Sequence, residues 1–362
     1  MTKIIAKKQI NKLLLLDSTS GLMIAGASWV ALLAARGFST IEIGVLESVF
    51  HIASMLFEIP SGVVADVFGR KRVMVMSQVM VVLSSLLMIF SASFFTVAVA
   101  MVFSALSYNL ASGTREALAY DSLKSAGNED AYNKFASNDL VIYELASATA
   151  TLLAGLALLL GYQKAYAIDI VGGMSAFLIA MTLQEVETEV KKEERIAKRF
   201  QEVIVESMHF LRDNQRSRRM ILFNATLGAI AVLVVFFAQA LLPEFGIEKF
   251  WLGPALFALN LGGAAGAKVV EEMPPLSYRK VGCIGCLGVA FAVVSMFTGN
   301  FWCVIVGGFI GSFADSLMEV RTDVELNRQI PSEQRATLMS VNSFTYSVVM
   351  IVLSPIFGWM FA

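Results

Sequence analysis

The sequence predicts an all-α polytopic membrane protein, and three observations carry that prediction. Of its 362 residues 57% are apolar and only 16% charged, whereas soluble chains run at about 45–50% and about 25%. From Val73 to Thr114 the chain carries 42 consecutive uncharged residues, enough for two helical spans of about 20 residues each. Further uncharged runs follow the same rule at Ser18–Ala35, Leu145–Gln163, Met220–Pro243, Phe250–Ala267, Val281–Ala314 and Ala336–Ala362. Helices are predicted rather than barrel strands because the runs are continuously apolar and do not alternate over about 10 residues. This composition excludes an ordinary soluble enzyme and a disordered chain. The 28 basic and 29 acidic residues nearly cancel, so nothing points to nucleic acid as a partner. The lipid bilayer is the partner the composition demands.

Taken in order, the first span, 13–35, follows a stretch with four lysines that superficially resembles a secretory signal. No small-residue cleavage site and soluble domain come after it, so it reads as a retained helix. The next spans are expected at 41–66, 73–92, 94–118, 139–161 and 164–184. A polar segment, 185–219, then carries Ile196, Phe200, Val203, Ile204, Phe210 and Leu211 at helical spacing, as an amphipathic linker would. Spans at 220–243, 250–270, 281–298, 300–321 and 336–361 bring the expected total to eleven. The linker divides a six-helix bundle, 1–184, from a five-helix bundle, 220–362. Two bundles are a first hint of a transporter.

Orientation follows from the loops, since cytoplasmic loops retain Lys and Arg. Of the 28 basic residues only Arg36, Lys164 and Lys249 fall on one side, and the other 25 fall opposite. A cytoplasmic N-terminus in an inner or plasma membrane is the expectation.

Span two runs into Gly62-Val63-Val64-Ala65-Asp66-Val67-Phe68-Gly69-Arg70-Lys71-Arg72. Gly62 would allow close helix approach, Gly69 a sharp turn, and the three cations an anchor at the membrane surface. The pattern Gly62, Asp66, Gly69, Arg70, Lys71 resembles the signature loop of the major facilitator superfamily, with Val67 where that family usually has Arg or Lys. Ser112–Leu123, containing Arg115, Glu116 and Asp121, is similar to a segment of bacterial drug-exporter-like members, and Asn327–Thr337 to the corresponding link of the second half. The resemblance implies the major facilitator fold of two helical bundles, with the family's helix 12 absent and a degenerate second loop at Gly262–Lys268. It also implies a gate in which Asp66 faces the start of the last span.

Ionisable residues inside spans are costly and therefore functional candidates. Glu47, His51 and Glu58 share a face of span two, and His51 falls near the midplane, about ten residues of 1.5 Å rise from the outer end. A near-neutral group there suits a proton relay, while the plainer alternative is a histidine satisfied by a neighbour. Asp315 and Glu319, four residues apart, read first as structural partners of Arg321 and second as coupling sites. Asp17, Glu144 and Asp169 read as helix-end contacts. With several carboxylates and no central Lys or Arg in the spans, a cationic or neutral substrate is favoured over an anion. Trp29, Tyr108, Phe344 and Tyr346 are candidates for lining its cavity.

Other chemistry has little support. Cys283, Cys286 and Cys303 give no disulfide framework, and with two histidines in the chain no metal site is expected. No phosphate-binding Gly-x-x-x-x-Gly-Lys motif marks ATP-driven transport, and no cofactor is expected. The leading function is alternating-access transport of a small organic molecule, with proton-coupled efflux implied by the resemblance. The alternatives are a metabolite uptake carrier and a transport-inactive receptor or assembly partner.

Overall fold

A computed structural model describes residues 2–186, 205, 212, 214–272, 277–329 and 335–362. Most of the predicted linker 185–219 lies outside the described residues. The elements are α1 (Lys3–Gly21), α2 (Ile24–Ala27), α3 (Trp29–Ala35), α4 (Thr40–Phe68), α5 (Arg70–Phe90), α6 (Phe94–Ala111), α7 (Thr114–Lys124) and α8 (Ala131–Leu152). They continue as α9 (Ala154–Leu160), α10 (Tyr162–Met181), α11 (Gln215–Glu244), α12 (Leu252–Glu272), α13 (Tyr278–Ser295), α14 (Phe301–Gln329) and α15 (Arg335–Met360).

Among the described residues nine helical stretches are long and apolar enough to cross a membrane, and α8 with α9 forms a tenth, bent by 45°. The predicted first span is the exception. It is broken into α1, α2 and α3, because its turns at Leu22–Met23 and Ser28 interrupt the ladder. A broken helix frees backbone N–H groups that lipid cannot satisfy. Asp169 of α10 supplies the acceptors: Ala25 N–H donates to its Oδ1 at 3.3 Å and Gly26 N–H to its Oδ2 at 2.9 Å. Asp169 is thus a helix-end contact, made across the bundle.

Two compact units form. One comprises residues 1–29 and 49–200. Its core joins Leu13 and Leu16 of α1, Met74 of α5, Leu118 of α7, Phe135 of α8 and Ala176 of α10. Within it α4 and α6 are tied by a reciprocal pair, Asn109 Nδ2 donating to the Ser54 carbonyl at 2.5 Å and Ser54 Oγ to Asn109 Oδ1 at 3.0 Å.

The other unit comprises residues 30–48 and 201–362, so α3 and the first third of α4 pack with the later helices. Its core joins Leu227 and Ala231 of α11 with Val281 and Val289 of α13 and Leu317 and Met318 of α14. Helices α12 and α14 meet at backbone distance, since a side chain on Gly262 or Gly266 would strike the carbonyls of Phe309 or Phe313. Gly44 of α4 likewise lies against the Ser354 carbonyl of α15. Pro355 has no N–H to bond the carbonyl of Ile351 one turn back. Ser48 Oγ donates to that carbonyl at 2.9 Å.

Large side chains left exposed, such as Phe90, Phe95, Trp302 and Trp359, sit at helix ends away from the basic loops. Aromatic rings at that level are what a membrane interface favours.

Candidate functional site

The glycine-containing loop is built as a tight corner. Gly69 has φ +95°, a left-handed value that favours glycine, and α5 begins at the next residue. Glu185 occupies the space a Gly69 side chain would need, with Oε2 2.5 Å from that position. Its carboxylate also accepts the Lys71 backbone N–H, at 3.2 and 3.1 Å, capping the start of α5. Arg70 pairs with Asp121 of α7, and its Nη1 donates to the Ala117 carbonyl at 2.8 Å. Gly62 lies on an exposed face of α4, and among the described residues no atom lies within 4 Å of where its Cβ would be. The side chain of Asp66 and those at the start of α15 lie outside the described residues, and with them the expected gate.

The most highly charged interior cluster is one the sequence reading did not assemble. Gly113, with φ +72°, separates α6 from α7 and redirects the chain so that Arg115 points toward α1 and α8. Arg115 Nη1 pairs with Asp17 of α1, and its Nη2 lies 3.1 Å from Asp139 of α8 and 3.0 Å from Glu116. Asp17 is therefore an interior ion-pair partner, which corrects its reading as a helix-end contact. The side chains of Asp17 and Asp139 are 3% and 8% exposed. Three carboxylates face one guanidinium, and among the described residues Asp17 Oδ2, Asp139 Oδ1, Glu116 Oε2 and Arg115 Nε have no hydrogen-bond partner. With all four groups ionised, two negative charges remain uncompensated. A proton or a cationic group offsets that cost.

The second unit carries a carboxylate ladder. Asp315, Glu319 and Asp323 follow at four-residue spacing on one face of α14. Asp315 is half-buried and lies over Gly228 of α11, its Oδ1 3.5 Å from where that residue's Cβ would stand. Glu319 and Asp323 are exposed. Among the described residues no ion pair joins Arg321 to Asp315 or Glu319, which corrects their reading as its structural partners. Two residues beyond Glu319 is about 200° around the helix, so Arg321 faces elsewhere.

Glu47 and His51 are both buried, with exposures of 6% and 8%, and the His51 ring meets Phe50 edge-on at 5.4 Å between centroids. Glu58 is half-buried, and so are Trp29, Phe344 and Tyr346, whereas Tyr108 is 61% exposed. Glu144 is exposed, but it lies in the middle of α8 and not at a helix end, which corrects that reading. The three cysteines are free and exposed. No grouping of His, Cys, Asp and Glu suited to a metal ion occurs among the described residues.

Comparison with solved structures finds the same architecture in several transporters. A crystal structure of a variant of the nucleoside transporter NupG superposes with a TM-score of 0.76 at 15% identity, covering 96% of this chain and 90% of that one. A D-xylose-proton symporter gives 0.71 at 12% identity, covering 97% and 90%. A POT family transporter crystallised with 5-aminolevulinic acid gives 0.71 at 12% identity, with the same coverage. At these identities the likeness shows the fold alone. No curated protein matches the sequence. The family profile named Major Facilitator Superfamily matches residues 13–354, and with a match of that extent the chain belongs to the major facilitator superfamily.

Proposed function

We propose that this protein is a proton-coupled exchanger that exports a small cationic or neutral organic molecule across the inner or plasma membrane, with its N-terminus in the cytoplasm. The observation that supports this reading most is the excess of carboxylate around Arg115, two of the three groups, Asp17 and Asp139, being buried. Asp17, Glu116 and Asp139 outnumber their one guanidinium, so a proton or a cation is needed to balance the charge. When protons and a cationic substrate compete for the same carboxylates, loading one expels the other, which is the condition for exchange. An inward proton gradient then drives the substrate out. The ladder Asp315, Glu319, Asp323 adds negative potential in the second unit and supports the preference against anions. Glu47 and His51 are proposed as further proton-coupling residues, Asp66 as the gate residue, and the bundles 1–184 and 220–362 as the two moving halves.

The test begins with a thermal-shift screen of purified protein, because a ligand at 100 times its dissociation constant stabilises by about 2.7 kcal/mol. A stabilising compound is then added to everted vesicles carrying an acid interior. Export by exchange predicts that it releases protons from the lumen, and that Asp139→Asn reduces the release. Accumulation of the compound together with protons by right-side-out vesicles in an acid medium would make the protein an import carrier. Binding without counterflow in proteoliposomes would make it a receptor.

A further inference from the structure

We propose that Tyr108 and Tyr143 form the aromatic wall of a binding site for an organic ammonium ion, set beside the carboxylates that surround Arg115. This deepens the cation reading proposed above and rests on it. The tyrosines of the first unit fall into two groups. Tyr120 and Tyr132 are committed to packing: their rings meet edge-on at 5.4 Å, Tyr132 lies 6.0 Å from Phe135, and Lys124 Nζ stands 5.8 Å from the Tyr120 ring. Tyr108 of α6 and Tyr143 of α8 are instead 61% and 48% exposed. Among the described residues neither side chain makes a hydrogen bond, a ring contact or a cation contact.

Two observations set these rings against water and charge rather than lipid. Glu144 adjoins Tyr143 well inside the span that α8 and α9 form, and it is exposed. A carboxylate at that depth faces a water-filled space, because lipid accepts an ionised group only at high cost. Tyr143 also lies within electrostatic reach of Tyr108, Asp17 and Arg115, as well as of Glu144. Asp17 is 3% exposed, and among the described residues its Oδ2 and the Oδ1 of Asp139 have no hydrogen-bond partner. The site thus joins two open π-faces, whose surfaces are negative, to a buried excess of carboxylate. Charge alone would admit any cation. The rings narrow the choice, since they attract an ion whose charge is spread over alkyl groups, as in a quaternary ammonium, and cannot replace the tightly held water of a small inorganic one.

Choline and its uncharged isostere 3,3-dimethylbutan-1-ol test the site by isothermal titration of the purified protein at low salt. Choline is expected to bind about tenfold more tightly than the alcohol. Tyr143→Leu is expected to weaken choline about fivefold and Tyr143→Phe by no more than about twofold, because the phenyl ring keeps its π-face. If Tyr143→Leu does not fold, Tyr108→Leu, at the more exposed ring, carries the same expectation. Glu144→Gln is expected to weaken choline and leave the alcohol unchanged. To tell water from lipid, Cys283, Cys286 and Cys303 are replaced by serine and Leu140→Cys, one turn before Glu144 and 61% exposed at Leu140, is treated in proteoliposomes with a membrane-impermeant maleimide. Labelling that choline slows is expected. An unlabelled cysteine would mean that lipid covers this face and overturns the proposal. So do absence of choline binding, equal affinities for the two probes, and equal losses in the leucine and phenylalanine variants. Choline binding of the expected selectivity without proton release from everted vesicles supports the site and counts against the exchange proposed above.

Discussion

Arg115 and Asp139 meet at 3.1 Å, nitrogen to oxygen, between α7 and α8, while the same guanidinium holds Asp17 of α1. Three helices of the first unit are thus joined by one cation. Removing it leaves buried carboxylates facing one another, and breaking such a group costs about 3–5 kcal/mol. Arg115→Ala is expected to lower the unfolding temperature sharply in detergent, and adding Asp139→Asn to recover part of the loss. A double-mutant cycle checks this, and additive effects would show that the pair does not interact.

In the second unit, Asp315→Asn removes one charge from the α14 ladder while keeping its shape. Affinity for cationic ligands is expected to fall about tenfold, equivalent to about 1.4 kcal/mol, with little change for neutral ones. Isothermal titration with one ligand of each kind separates the two outcomes. Equal losses for both would point to packing rather than charge.

The corner at Gly69 makes a prediction about charge geometry. Arg70 reaches Asp121 and the Ala117 carbonyl at once, which a planar guanidinium can do and an ammonium does less well. Arg70→Lys is expected to recover less than half of the stability lost in Arg70→Ala, measured by thermal unfolding. Full recovery by lysine would mean that net charge alone matters.

Ser48 and Pro355 form a compensating pair. The hydroxyl satisfies a carbonyl that the proline leaves without its helix donor, and an unmade buried hydrogen bond costs about 1–3 kcal/mol. Ser48→Ala is expected to destabilise the protein by about that amount. In a Pro355→Ala background the helix regains its own donor, so the serine substitution is expected to cost much less.

Much of the fold was legible because charge is so unevenly distributed. Runs such as Val73–Thr114 have no alternative to lipid, and the helices α5 and α6 fall where the run places them. The break in the first span was not legible, since Ser18–Ala35 is uniformly uncharged and its interruption depends on Asp169, more than 140 residues away. Distance in the chain also hid the Arg115 cluster. Asp17 and Arg115 are 98 residues apart, and one sequence cannot set the rotation of one helix against another. Asp323 is within reach of the sequence: it continues the spacing of Asp315 and Glu319 but lies past residue 321, the expected end of the span.

The contact of Gly262 and Gly266 with the Phe309 and Phe313 carbonyls has a mechanical consequence. Where two helices touch backbone to backbone they cannot slide by exchanging side-chain rotamers, because at those two contacts no side chain stands between them to give way. They behave as a single stiff beam, and the carboxylates at 315, 319 and 323 are mounted on it. Whatever displaces α12 carries those charges with it at fixed spacing, so their electric field travels as a unit rather than one residue at a time.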